Sequence, residues 1–266
     1  MNKFKSLTSI LSALILTSQL SACANNLNNS TNADWIELFN GKNLDNWTVK
    51  INHHKTGENY ADTFRVEDKT LAVRYDQYTD FNQRFGHIFY NQPFDNFHLK
   101  FDYKFSGEFL KSAPSYAKRN SGVMFYSQSP DSIQQQQNWP ISVEMQLLAE
   151  LTPGQARPTG NMCSPGTDII YQDKIYPGHC LNSNSKTYPM DQWVSAELIV
   201  NHGKITQIIN GEIVLEYASP FATKDDLIQG EDPAIWQQMT VLTSGYIGFQ
   251  SEGQPVEFKN IKIKAL

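Results

Sequence analysis

The 266-residue sequence lacks an excess of positive charge, because 22 lysine and arginine residues stand against 27 aspartate and glutamate residues. The formal net charge is −5, and the basic residues form no cluster along the chain. A surface that binds nucleic acid needs such a cluster of basic side chains. We therefore expect no nucleic-acid partner.

The sequence also lacks the short motifs of several common enzyme classes. It contains no glycine-rich phosphate cradle in a strand–loop–helix setting, no dinucleotide fingerprint and no nucleophile elbow. Chemistry of those classes is therefore not expected of this chain.

Long apolar runs are missing as well. The run Leu7–Leu20 is short and interrupted by serine and threonine, so it is not expected to span a membrane. Lys3 and Lys5 precede it, and LSAC at 20–23 follows it, in the order of a secretory signal peptide. The segment resembles a bacterial lipobox, which predicts a lipidated Cys23. An ordinary signal peptide cut nearby is the alternative.

This resemblance predicts where the protein resides. Residues 1–22 would be removed as a lipoprotein signal peptide, and residues 23–33 would form a lipid-anchored polar tether. Residue 24 is alanine rather than aspartate. By analogy with Gram-negative sorting, that favours the outer membrane, with the protein facing the periplasm or the cell surface. Membrane contact would be through the N-terminal lipid only.

Cysteine is scarce, with three residues in the chain. If Cys23 carries lipid, Cys163 and Cys180 remain, and in an oxidising periplasm we expect them to form a disulfide. A metal site built from these two thiols and His179 is the alternative. The adjacent histidine and cysteine at 179–180 do not have the usual zinc-ligand spacing.

Short alternating segments are plentiful from Trp35 onward. Asn96–Phe105 is the clearest strand, and Asn210-Gly211 is a strong hairpin turn signal. One segment, 220–239, has helical character. Frequent short strands predict an all-β sandwich or barrel. No linker, charge block or repeat divides residues 34–266, which we expect to form one domain. The residues of the clearest strand predicted to face the core are Phe97, Leu99, Phe101, Tyr103 and Phe105.

The stretch PISVEMQLLAE carries unusual polarity for a strand. Val143, Met145 and Leu147 alternate onto one face, as core residues do. Glu144 and Gln146 share the opposite face. This arrangement predicts that the polar face forms the floor of a carbohydrate site.

Four stretches stand together in a characteristic order. They are ELFNGKNLDNW at 37–47, RNSGV at 119–123, VEMQL at 143–147, and GYIGFQSEG at 245–253 running into VEFKNI at 256–261. In this order they resemble the domain of unknown function 1080, now described as the 3-keto-disaccharide hydrolase domain, over nearly all of residues 34–266. The resemblance implies a concanavalin A-like jelly roll of two antiparallel sheets, and action on glycosides whose sugar is oxidised at C3. It also implies a separate sugar oxidoreductase that supplies the oxidised substrate, because the chain has no dinucleotide fingerprint.

The sequence departs from the family pattern at two places. Many members have Asp-His-Gly where this chain has Ser-Glu-Gly at 251–253, and many have arginine where this chain has Lys259. Arginine and lysine are not equivalent where a planar group is bound through two hydrogen bonds. The loop between Cys163 and Cys180 resembles a feature of only part of the family.

The polar strand face lacks the acids of an ordinary jelly-roll glucanase. Such enzymes carry two carboxyls on one strand as Glu-x-Asp-x-x-Glu, whereas Gln146 replaces the second acid here and Glu150 lies at the strand end. Cleavage of a 3-keto sugar does not need this pair of carboxyls on one strand. Its carbonyl acidifies the hydrogen on C2, a base removes that proton, and the enolate expels the oxygen on C1. Water then adds to the double bond, or the unsaturated product leaves.

We predict catalytic roles for three residues. Glu144 is the candidate base, with a pKa raised by a partly apolar floor. Gln146 is a candidate hydrogen-bond donor to the enolate oxygen. His87 is a candidate acid for the leaving oxygen or a candidate metal ligand. A divalent metal would polarise the C3 carbonyl, although no residue spacing requires one.

Further residues are predicted to contact the sugar or glycoside substrate. An ion pair of Glu144 with Arg119 or Lys259 is the structural alternative to a catalytic Glu144. A non-catalytic carbohydrate-binding module or a conventional glycoside hydrolase on the same fold is the functional alternative. The predicted substrate-binding residues are Asn120 (as a further donor), Arg119, Gln250, Glu252, Lys259, His179 and Trp139.

Overall fold

A computed structural model describes residues 34–224 and 241–266, together with Met1 and Ile228. Residues 33–266 form one compact unit. Two antiparallel sheets make up this unit, so the predicted all-β sandwich is confirmed. Within the described residues, helical structure is confined to three short 3₁₀ turns: η1 (Tyr60–Asp62), η2 (Ser115–Ala117) and η3 (Pro130–Ser132).

In the described part of the chain, the first sheet contains ten strands. They are β1 (Ile36–Glu37), β3 (Phe64–Glu67), β4 (Thr70–Val73), β6 (Phe97–Phe105), β10 (Thr167–Tyr171), β11 (Lys174–Ile175), β13 (Val194–Asn201), β14 (Lys204–Ile209), β15 (Glu212–Ala222) and β17 (Val256–Ala265). Their order is β11-β10-β15-β14-β13-β6-β17-β4-β3, and β1 pairs with β17. The long strands β6 and β17 therefore lie near the middle of this sheet.

The second sheet contains seven strands among the described residues and carries the polar strand face. They are β2 (Trp47–Ile51), β5 (Gly86–Tyr90), β7 (Asn120–Ser127), β8 (Val143–Leu148), β9 (Asn161–Cys163), β12 (Cys180–Leu181) and β16 (Tyr246–Ser251). Their order is β12-β9-β8-β7-β16-β5-β2. Strand β8 thus lies between β7 and β9.

The hydrophobic core fills the space between the sheets. Strand β6 alternates strictly, and its five predicted core side chains are at most 2% exposed. Each large apolar side chain buried in this way contributes roughly 1.5–3 kcal/mol. Phe249 of β16 packs edge-to-face on Phe101 and Phe258, with ring centroids 5.5 and 4.7 Å apart. These aromatic contacts join the two sheets.

Strand β8 has the two faces that the sequence predicts. Val143, Met145 and Leu147 are fully buried in the core. Because side chains alternate along a strand, Glu144 and Gln146 lie on the face turned away from the ten-stranded sheet. The predicted alternation of a core face and a polar face is confirmed.

The predicted helical segment at 220–239 falls mostly outside the described residues. Its first residues, 220–222, belong to strand β15 instead. The predicted signal peptide, the lipidated Cys23 and the tether also lie outside the described residues, so the lipid anchor stays a prediction. Within the described parts of the chain, no helix is long and apolar enough to cross a membrane.

The predicted disulfide is confirmed. Cys163 and Cys180 are bonded, and they stand opposite each other in the pairing of β9 with the two-residue edge strand β12. Since each thiol is bonded to the other, the alternative metal site with His179 is wrong.

We expect the disulfide to stabilise the fold by about 3 kcal/mol, because it closes a loop with a sequence separation of 17. The C163A/C180A variant should lose that much free energy of unfolding in urea titrations. Adding a reductant should destabilise the wild type and leave the variant unchanged. Equal stability of the two proteins under oxidising conditions would contradict this expectation.

Candidate active site

A pocket of about 260 Å³ opens on the outer face of the seven-stranded sheet, beside β8. Its volume lies just below the roughly 300 Å³ at which small-molecule sites usually begin. It brings together most of the residues singled out by sequence. The lining residues are Tyr116, Asn120, Trp139, Glu144, Gln146, Cys163, Pro165, His179, Cys180 and Glu252.

Glu144 occupies the floor of the pocket because its diagonal neighbour on β7, Gly122, has no side chain. Met124 is directly opposite Glu144 in the sheet, and Gly122 is opposite Gln146. The Glu144 side chain leans across Gly122, so a Cβ atom at position 122 would lie 2.7 Å from both Cγ and Cδ of Glu144. Real Cβ atoms do not approach other atoms that closely. Only glycine leaves room for the carboxyl group.

A second buried carboxyl group shares the pocket. Glu252 follows β16, and it is even better buried than Glu144, with 4% of its surface exposed against 7%. Burial raises the pKa of Glu144 well above its ordinary value, and the charge of Glu252 raises it further. Burial also raises the pKa of Glu252 to about 7, although a hydrogen bond from Trp139 acts in the opposite direction. Because the two groups interact, the pair releases its first proton only near pH 7 and then carries a single charge.

The hydrogen bonds indicate which carboxyl is charged. Trp139 Nε1 donates to Glu252 Oε1 over 3.1 Å. An N–H donor stabilises the ionised form of a carboxyl group. The proton therefore belongs mainly to Glu144 and the charge mainly to Glu252. This differs from the sequence prediction, in which Glu144 was the ionised base.

Two amide side chains line the pocket, and one offers it a hydrogen-bond donor while the other offers an acceptor. Gln146 Oε1 accepts a hydrogen bond of 3.0 Å from Asn161 Nδ2, which leaves Gln146 Nε2 to donate into the pocket. Asn120 Nδ2 donates to the carbonyl of Tyr116 over 3.5 Å, and Asn120 Oδ1 is buried without a protein partner. Asn120 therefore offers an acceptor, whereas the sequence prediction made it a donor.

His87 and Gln250 lie deeper on the same sheet face and do not line the pocket. They are opposite each other on β5 and β16, and both are buried. Burial, with a smaller effect from the charge of Lys50, lowers the pKa of His87 to about 3. A histidine that is neutral at physiological pH does not act as a general acid, so the predicted acid role of His87 is not supported.

Arg119 and Lys259 lie outside the pocket. Arg119 Nη1 donates to the Glu150 carbonyl, so Arg119 ties the end of β8 to the start of β7. Lys259 belongs to the ten-stranded sheet, with its Nζ 3.9 Å from the ring centroid of Trp193. Neither residue forms the ion pair with Glu144 that was the structural alternative.

His179, Pro165 and the disulfide form one wall of the pocket. Tyr116, which the sequence analysis missed, lies at the rim with 54% of its surface exposed. Tyr116 and Glu252 line the same pocket, and partial burial, with a smaller effect from the charge of Glu252, raises the pKa of Tyr116 to about 12. In the described part of the chain, no group of three or more His, Cys, Asp or Glu side chains is arranged to hold a metal ion.

A family profile described as a 3-keto-alpha-glucoside-1,2-lyase-like domain matches residues 34–264. The chain belongs to this family. The match includes the strand face and both carboxyls of the pocket. A comparison with curated proteins gives no match.

Two crystal structures from Parabacteroides distasonis ATCC 8503, both of inferred glycosyl hydrolases, share the fold. One is 22% identical over 88% of this chain and 100% of its own, with a TM-score of 0.52. The other is 19% identical over 87% and 94%, with a TM-score of 0.50. At this identity the likeness shows the fold alone, and the predicted jelly roll is confirmed.

The paired carboxyls should make stability depend on pH. The pKa of Glu252 rises from its usual 4.5 to about 7 on folding, so this group favours the folded state fully below pH 4.5. That contribution is lost as the pH rises towards 7. The loss amounts to about 3 kcal/mol, because one pKa unit corresponds to about 1.4 kcal/mol.

The E252Q variant should therefore show a flatter dependence of unfolding free energy on pH over this interval. Urea titrations of both proteins at several pH values would measure it. Identical slopes for the two proteins would contradict the assignment of a raised pKa to Glu252.

Proposed function

We propose that the protein cleaves glycosides whose sugar ring carries a ketone at C3, by elimination between C2 and C1. Family membership supports the substrate class. The observation that carries the mechanism is the pair of buried carboxyls in one pocket, of which only Glu252 accepts a hydrogen bond from Trp139 Nε1. A charged carboxyl and a proton-bearing carboxyl are the base and the acid that such an elimination uses.

Glu252 is the base in this proposal. Its carboxylate takes the proton from C2, and the electron pair of the C2–H bond forms an enolate with negative charge on the C3 oxygen. Gln146 Nε2, which faces the pocket, donates a hydrogen bond to that oxygen. A donor aimed at developing charge lowers the barrier in a water-poor site.

Glu144 is the acid. As the C3 carbonyl re-forms, a double bond forms between C1 and C2, and the bond from C1 to the glycosidic oxygen breaks. Glu144 gives its proton to the departing oxygen. The proton taken by Glu252 then returns to Glu144, so the pair again holds one proton. Addition of water to the double bond would complete a net hydrolysis.

A conventional glycoside hydrolase is the second candidate, and the same carboxyl pair favours it. On β8 itself Gln146 replaces the second acid of a glucanase, but Glu252, which follows β16, brings a second carboxyl into the pocket. Ordinary glycosidases place two carboxyls on either side of the bond they cleave. A binding module has no need of two carboxyls that burial destabilises when charged.

We also propose that the protein works outside the cytoplasm, held by lipid on Cys23. The proposal rests on the lipobox resemblance. The Cys163–Cys180 disulfide supports it, because such bonds persist in oxidising compartments. A separate oxidoreductase would introduce the C3 ketone.

The decisive test compares a 3-keto-disaccharide with the same disaccharide unoxidised, using mass analysis of the products. We expect cleavage of the 3-keto-disaccharide only, and a several-fold slower reaction when C2 of that substrate carries deuterium. Cleavage of the unoxidised sugar with no deuterium effect would favour the conventional hydrolase.

The two carboxyls should respond differently to the leaving group. E252Q should lower kcat by about 10²–10⁴ on every 3-keto-glycoside, because it removes the base. E144Q should impair a 3-keto-disaccharide to a similar degree but spare a 3-keto-glucoside of nitrophenol, whose oxygen leaves without an acid. Steady-state kinetics would show the pattern, and the reverse pattern would exchange the two roles.

Gly122→Ala should displace the Glu144 carboxyl without unfolding the protein, because the overlapping atoms belong to a flexible side chain. We expect kcat on the 3-keto-disaccharide to fall about 100-fold, the usual effect of a misplaced catalytic group. The matched control is G122A/E144Q, which should be no slower than E144Q. Full activity of G122A would contradict the proposed position of Glu144.

A further inference from the structure

We propose that Asn161 is a positioning residue that fixes the polarity of the Gln146 amide, so that an N–H group and not an oxygen faces the substrate. The inference rests on the proposed function for its catalytic consequence. Its structural basis is a set of hydrogen bonds next to the pocket. Asn161 is directly opposite Gln146 in the pairing of β9 with β8.

The orientation of Asn161 is set by two backbone groups. Its Oδ1 accepts a hydrogen bond of 2.9 Å from the backbone N–H of Ser183. Its Nδ2 donates to the carbonyl of Pro158 over 3.2 Å. A backbone N–H can only donate and a carbonyl can only accept. The Asn161 amide therefore cannot be turned over without losing both bonds.

The polarity of Gln146 follows from that of Asn161. Asn161 Nδ2 also donates to Gln146 Oε1 over 3.0 Å. Because Gln146 must accept there, its own NH₂ group is directed to the pocket. Asn161 is 2% exposed, so water does not compete readily for these bonds.

Ser183 is itself held in place from two directions. Its hydroxyl donates to the carbonyl of Thr159 over 2.6 Å. It follows the short edge strand β12, which the Cys163–Cys180 disulfide attaches to β9. A two-residue strand has little pairing of its own. The disulfide therefore keeps the Ser183 N–H group within reach of Asn161.

The consequence for catalysis is electrostatic. The proposed reaction places negative charge on the C3 oxygen, which a Gln146 N–H stabilises and a Gln146 oxygen would repel. Loss of one such donor usually lowers kcat by about 10²–10³. Asn161 need not touch the substrate to have this effect.

The N161D variant tests the inference, because an aspartate can still accept from Ser183 but cannot donate to Gln146. Gln146 should then turn over, donate to Asp, and present its oxygen to the pocket. With a 3-keto-disaccharide we expect N161D and Q146L each to lower kcat about 100-fold, with little change in KM. The double variant N161D/Q146L should be no slower than Q146L. Multiplying effects in the double variant would overturn the inference.

A measurement without substrate separates this inference from the proposed function. In wild-type protein, NMR should show Asn161 side-chain amide protons protected from solvent exchange and Gln146 side-chain amide protons exchanging freely, with the Gln146 signals identified by their loss in Q146L. In N161D the Gln146 signals should move downfield and become protected. Protected Gln146 protons in the wild type would overturn the inference whether or not N161D folds. The expected NMR pattern in a protein that leaves 3-keto-glycosides intact would uphold the positioning role and reject the proposed function.

Discussion

Two carboxyl groups buried in one pocket constrain everything around them. Removing a carboxylate from water is costly, and two such charges in one site would also repel each other. The structure meets this constraint by giving Glu252 a tryptophan N–H and leaving the proton mainly on Glu144. The same constraint produces the chemical difference between the two groups. Two identical side chains thus differ in their affinity for a proton because their surroundings differ.

The sandwich holds these groups at fixed positions. The apolar side of β8 packs in the core, and so the polar side faces the pocket. On the neighbouring strand, Asn161 holds Gln146, and beyond it the disulfide holds the edge of the sheet. Polar groups on regular strands, each with defined partners, lose little further freedom when a ligand binds. The polar groups of the pocket are therefore largely in place before a ligand binds.

Much of the fold could be predicted from the sequence because strand alternation is a local property. The alternation of β6 and β8 correctly assigned the core faces, and counting cysteines gave the disulfide. The site was harder to predict, because its chemistry depends on contacts between distant parts of the chain. Glu252 was identified as a site residue, but nothing local shows that it shares a pocket with Glu144. Lys259 was misplaced because a strand pattern does not tell which sheet a strand joins.

Because residue 122 is glycine and has no side chain, it limits which substitutions the pocket can accept. Every amino acid other than glycine carries at least one carbon where the Glu144 side chain now rests. A substitution there would keep the fold but displace the Glu144 carboxyl from the pocket. Redesigning the neighbouring strands for another ligand would thus have to keep this glycine, or else place the buried carboxyl on a different strand.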